Sequence, residues 1–189
     1  MYNLSIVVEG RDDAELLRNV LPTDELTAVR FFAAGGRISL STVARNILVH
    51  EGTPVLLVMD ADTLNPDSAE EARQYTKAMI SHVANQVPAD VFSFMPEIEV
   101  IFFEAPEVLA AALGRQLEKA ELLQGITSPK RTLGLLLKQA GGNPAIADLL
   151  TRMDANGIDF LHKGKQMAAF IEAFQRLLEG SRVLAKGTA

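Results

Sequence analysis

Short uninterrupted apolar runs alternate with amphipathic stretches through the first hundred positions of the chain. The run "LSIVV" (4–8) ends at Glu9-Gly10, and Leu16, Leu17, Val20 and Leu21 then recur on one helical face until Pro22. "AVRFFAA" (28–34) reads as the next strand, closed by Gly35-Gly36. A second helix is expected from Ser39 or Ser41 as N-cap, with Leu40, Val43, Ala44, Ile47 and Leu48 inward. Gly52 and Pro54 precede "PVLLVMDADT" (54–63), whose unbroken apolar stretch suits a parallel strand covered on both faces. Ser68 and Glu71 have capping-box spacing for a third helix that starts after Pro66 and runs to about Val87. "DVFSF" (90–94) and "VIFFE" (100–104) read as further strands, split by Pro96.

This β-α-β-α-β-α-β order predicts an α/β fold, a parallel sheet with helices on both faces, over residues 1–105. From 106 to 189 the periodicity is helical, and this extension is expected to pack on the sheet. Its stripes are Leu109, Ala112 and Leu113; Leu133, Leu136, Leu137 and Ala140; and Met167, Phe170, Ile171, Phe174, Leu177 and Leu178. Gly125, Gly141-Gly142, Pro144, Gly157 and Gly164 read as punctuation between these helices.

Composition narrows the class. With 189 residues, 48% of them apolar, the chain can bury a sizeable core. No apolar run reaches the roughly eighteen residues of a membrane span, and "MYNLSIVVEG" lacks the form of a signal peptide. The absence of cysteine excludes disulfides and thiolate zinc sites and fits a cytoplasmic protein. A net charge of −6 argues against a general polyanion-coating protein, since nonspecific affinity for nucleic acid comes mainly from Lys and Arg.

The candidate chemistry lies where two strands end. Ligands of parallel α/β sheets sit beyond the carboxyl ends of the strands, and Glu9 and Asp60/Asp62 occupy two such ends. If the extended backbone continues, Asp60 and Asp62 point the same way. Two like charges about 4 Å apart would then repel by roughly 4 kcal/mol at an effective dielectric near 20. Either a cation offsets that repulsion, or the loop opens and water screens it. Mg²⁺ suits such a group, because it takes hard oxygen ligands and keeps positions for water and phosphate.

"IVVEGRDDAELL" followed by "LLVMDADT" resembles a Toprim domain, the metal-binding catalytic module of topoisomerases, bacterial primases, small RNA-maturation nucleases and OLD-type nucleases. The resemblance covers roughly residues 3 to 104 and implies a Toprim-like, Rossmann-like fold binding Mg²⁺ or Mn²⁺. It implies Glu9 as general acid/base and as ligand with Asp60 and Asp62. Asp13 is a further candidate ligand, with complementing the positive end of the helix dipole as the alternative role. The topoisomerase branch needs a nucleophilic tyrosine, and neither Tyr2 nor Tyr75 looks like an exposed one. The primase branch commonly carries a thiolate zinc module, which a chain without cysteine cannot form. The OLD-type pattern adds an acidic residue after the next strand, here Glu97 or Glu99, and a lysine before a late helix, here Lys163 or Lys165. The glycine often found three residues after the second aspartate is replaced by Asn65, which tolerates a left-handed backbone. Gly35-Gly36-Arg37 could cradle a phosphate but reads more simply as a tight turn, and His162 is the one histidine placed to matter.

The function this implies is a Mg²⁺-dependent phosphodiester hydrolase acting on DNA or RNA, with a separate ATPase as possible partner. The alternatives are a non-catalytic nucleotide- or partner-binding module, or a phosphoryl or nucleotidyl transferase acting on a small molecule.

Overall fold

The computed structural model describes residues 3–84, 86–141 and 146–187. Tyr2, Gly142 and Pro144, singled out above, lie outside them. Four strands, β1 (Leu4–Val8), β2 (Val29–Ala33), β3 (Val55–Asp60) and β4 (Ala89–Phe94), form one wholly parallel sheet in the order β2-β1-β3-β4. The chain is therefore an α/β protein whose central strands, β1 and β3, are buried on both sides.

Between the strands run α1 (Arg11–Val20), α2 (Thr23–Leu26), α3 (Arg37–Asn46) with a π-helical turn over Ile47–Glu51, and α4 (Pro66–Ser81). After β4 come α5 (Val100–Glu104), α6 (Pro106–Leu113), α7 (Lys119–Thr127), α8 (Pro129–Gln139), α9 (Ile146–Leu150), α10 (Ala155–Leu161) and α11 (Lys165–Gly187). The period-two alternation of the strands divides the core. Leu4, Ile6, Val8, Leu56, Val58 and Phe94 face α1 and the helices after β4, where Phe170 and Phe174 of α11 are buried with them. Val7, Val55, Leu57, Met59 and Val91 face α3 and α4, against Leu40, Ala44, Ile47 and Ile80. The first cluster holds side chains from both sides of the 105/106 boundary.

Several local expectations are corrected. The apolar run 100–104 is helix α5, not a strand; Val100, Ile101, Phe102 and Phe103 are all buried, so no polar face marked the helical period. Helix α3 starts at Arg37 after Gly36, whose φ of 124° only glycine adopts readily, so Ser39 and Ser41 fall inside it. The cap of α4 is Asn65, whose side chain accepts from the N–H groups of Asp67 and Ser68, with Pro66 as first helical residue. That helix ends at Ser81 rather than near Val87. Gly125 does not break a helix: it lies within α7, where an added Cβ would stand 2.0 Å from a ring carbon of Phe103. Gly157 likewise lies inside α10.

Candidate active site at the carboxyl end of the sheet

The parallel register brings the acidic strand ends together. Val7 pairs with Leu57, so continuing the ladder sets Glu9 level with Met59, and the Asp60 N–H points at Glu9 Oε1 from 3.4 Å. Asp60 pairs with Phe94, which places the loop after β4 beside it, and the Ile98 N–H donates to Asp60 Oδ1 at 2.9 Å. Across the other neighbour, the N–H groups of Gly35 and Gly36 both donate to the Glu9 carbonyl. Those glycines are thus a turn that clamps the end of β1, and their N–H groups are not free for a phosphate.

Asp60 and Asp62 part company. The extended backbone stops at Asp60, and Asp62 sits in the left-handed region at φ 54°. Its carboxylate turns outward to pair with Arg37, whose guanidinium also donates to the Asp60 carbonyl. The expected repulsion is relieved by divergence and an arginine. The left-handed residue is Asp62 and not Asn65, which is extended at φ −86°.

Asp13 both closes the helix start and lines the cleft. Its Oδ2 accepts from the Gly10 N–H at 2.8 Å, closing the start of α1, and the side chain is buried while lining the cleft. That cleft, about 280 Å³, is lined by Glu9, Gly10, Arg11, Asp12, Asp13, Gly35, Gly36, Asp60 and Lys130.

Glu97 and Glu99 do not share a face, because the chain turns helically from residue 97 onward instead of extending. Glu97 accepts from the backbone N–H of Lys130. Glu99 is 1% exposed, and neither of its carboxylate oxygens receives a hydrogen bond. The Lys130 ammonium stands 3.4 Å from Glu99 Oε1, beyond good hydrogen-bond length but an ion pair.

These surroundings push the acids toward their neutral forms. Asp60 is raised to about 8, first by burial and then by the charges of Glu99, Asp13 and Glu9, against the Ile98 hydrogen bond. Burial likewise raises Glu99, with Lys130 opposing, and raises Glu9, with the Asp60 N–H and Arg37 opposing. For Lys130 burial works against the charge, yet Glu99, Asp13 and Asp60 hold its ammonium above the ordinary value.

The expected lysines stand elsewhere. Lys163 lies over the Phe160 ring at 4.2 Å, Lys165 is exposed at the start of α11, and neither lines the cleft. His162 contacts the Val20 carbonyl at the end of α1. Tyr75 is 68% exposed on α4, contrary to expectation, and it too lies off the cleft lining. Lys130 was missed. Its one sequence signal is "SPKR", where Pro129 opens a helix and so holds the next residue at a fixed helix start.

A divalent cation can be tested against these donors. Among the described residues, no group of three or more Asp, Glu or His side chains is arranged to hold a metal ion. Mg²⁺, however, is usually held by one or two carboxylates plus waters and substrate phosphate, not by an all-protein cage. Two hard oxygen donors, Glu9 and Asp60, adjoin in a cleft with an excess of carboxylates, backed by a buried Glu99 that receives no hydrogen bond. The donor set therefore fits Mg²⁺ or Mn²⁺ in kind.

No family model and no curated protein matches the chain. Similar solved structures include two of the C-terminal region of the Xanthomonas campestris pv. campestris OLD protein, each with a TM-score of 0.45 and 16% identity, covering 92% of this chain and 98% of that one. The C-terminal region of the Burkholderia pseudomallei OLD protein has a TM-score of 0.46 and 14% identity, over 86% and 98%. Among the described residues no helix is long and apolar enough to cross a membrane.

Proposed function

We propose that the chain is a Toprim-type phosphodiester hydrolase that cleaves DNA or RNA with Mg²⁺ or Mn²⁺. The observation that carries this is the crowding of Glu9, Asp13, Asp60 and Glu99 at one sheet end, where burial and mutual repulsion hold Asp60 near 8. Such a group gains by taking up a divalent cation. Glu9 and Asp60 are the proposed ligands, with Asp13 beside them. When bound, the ion would stabilise charge on a phosphate oxygen and make a water more acidic.

The remaining roles belong to the chain itself. Glu9, raised by burial, is suited to hold or release a proton at its carboxylate. Lys130 offers its ammonium to a non-bridging phosphate oxygen, in place of the lysine expected at Lys163 or Lys165. Asp62 and Arg37 would brace the loop after β3. Glu99 keeps Lys130 charged and directed.

The test is metal-dependent nicking of a supercoiled plasmid, or cleavage of a structured RNA, by the full chain. Mn²⁺-dependent cleavage is expected, abolished by Glu9→Gln and Asp60→Asn and lowered about 10²–10³-fold by Lys130→Met. Calorimetry should show Mn²⁺ binding in the wild type and none in Asp60→Asn. The acidic balance of the chain, a net charge of −6, favours a second reading, a non-catalytic nucleotide- or partner-binding module. Mn²⁺ binding with no turnover would select it. A separate ATPase as partner and a cytoplasmic setting complete the proposal, resting on the Toprim resemblance and the absence of cysteine.

A further inference from the structure

Beside the cleft, at the open edge of the sheet, lies a groove of about 460 Å³ lined by Arg11, Ala14, Glu15 and Arg18 of α1 and by Phe31 and Ala33 of β2. Arg11 lines both the cleft and this groove, so the two lie side by side. Arg11 and Arg18 are seven residues apart, two turns along one face of α1 and about 10 Å along its axis. Both are exposed, and no ion pair among the described residues engages either. Arg18 instead sets its guanidinium 4.9 Å from the centroid of the half-buried Phe31 ring.

We propose that this groove is a track for one single strand of nucleic acid leading out of the cleft, with Arg11 and Arg18 on phosphates and the Phe31–Arg18 layer stacking a base. The inference rests on the nuclease reading for its substrate class. Flat aromatic and guanidinium surfaces stack bases without regard to sequence, and a cationic wall follows the backbone. A duplex is the wrong occupant, because its base faces are already stacked inside and offer Phe31 nothing. Glu15, between the two arginines on the same wall, keeps the groove from being a broad polyanion surface. That agrees with a chain of net charge −6 that concentrates a few cations where a strand must pass. Two phosphate contacts give a log affinity that falls with log salt at a slope of about −1.4 for a single strand.

The test is fluorescence anisotropy of a labelled oligothymidylate with the full chain in EDTA, where turnover cannot interfere, beside a duplex of equal length. Phe31→Leu, which keeps apolar volume and removes the ring, should weaken the single strand about tenfold and leave the duplex unchanged. Arg18→Gln, at an exposed position, should weaken it several-fold and reduce the salt slope by about 0.7. Wild-type affinity and slope in Arg18→Gln would overturn the track, and that variant decides alone if Phe31→Leu melts early. Equal loss on duplex and single strand in Phe31→Leu would also overturn it. Failure of the nuclease reading looks different: the wild type would not cleave with Mn²⁺, while the binding pattern of the variants would stand or fall independently.

Discussion

Asp60 and Asp62 show how two residues of one motif are separated by a single backbone angle. Asp60 ends an extended strand and stays among buried groups; Asp62, at φ 54°, swings to Arg37 and solvent. The consequence for Asp60 is a pH dependence with a definite sign. Its carboxyl moves from 3.8 to about 8 in the folded chain, so between those values the folded state binds more protons than the unfolded state. Its contribution to stability is complete below the unfolded value and is lost as pH rises through the folded one. The raised Glu9 and Glu99 act in the same sense. Thermal melts of the metal-free protein should therefore show Tm falling between about pH 4 and pH 8. Asp60→Asn should flatten that decline. A wild-type Tm that climbs across this window would count against the assignment. Lys130 supplies a second residue-scale prediction. Lys130→Met strands the buried Glu99 charge and should destabilise by about 1–3 kcal/mol at neutral pH, while adding Glu99→Gln recovers most of the loss. Denaturant titration of the two singles and the double measures the coupling.

At the scale of elements, the parallel strands were legible because their apolar runs are short, unbroken and followed by turn residues. The run 100–104 was not, since a segment buried on every side carries no periodicity, and only the helical turn beginning at residue 97 sends Glu99 inward and Glu97 to Lys130. Glycine was misread for a related reason. Gly125 is small because the Phe103 ring lies against α7, a contact between positions far enough apart that no local pattern reports it. Gly125→Ala should therefore cost about 1–3 kcal/mol, although alanine is the better helix former. That lowers Tm by about 2–4 °C per kcal/mol in a chain of this size, read by circular dichroism. A Tm at or above wild type would mean the ring moves aside freely. Glu104 adds a tertiary link of the same kind, accepting from the Gln166 N–H at the start of α11, while the Gln166 side chain bonds both the N–H and the carbonyl of Met95.

Over the whole molecule, the helices that follow β4 hold the carboxyl end of the sheet from one side. Phe170 of α11 packs against Phe92 and Phe94 at ring-centroid distances of 5.2 and 5.5 Å, just before the loop that carries Ile98 and Glu99. Phe170→Ala should cost about 3–5 kcal/mol, and calorimetry and circular dichroism should report the same single transition. Two separate transitions would show that the regions before and after residue 105 fold independently. What the sequence determined by itself is what local pattern encodes: strand and helix order as far as β4, the wholly apolar central strands, and the acids Glu9 and Asp60 at adjacent strand ends. These follow because side-chain period and chain direction are fixed by covalent geometry. Which acid turns inward, which lysine enters the cleft and where an arginine-lined groove joins it were decided only in three dimensions. Lys130 lies seventy residues from Asp60 along the chain. Its nearness to the acids comes from how α5 and α8 pack, and packing is a property of the assembled surfaces rather than of any stretch of sequence.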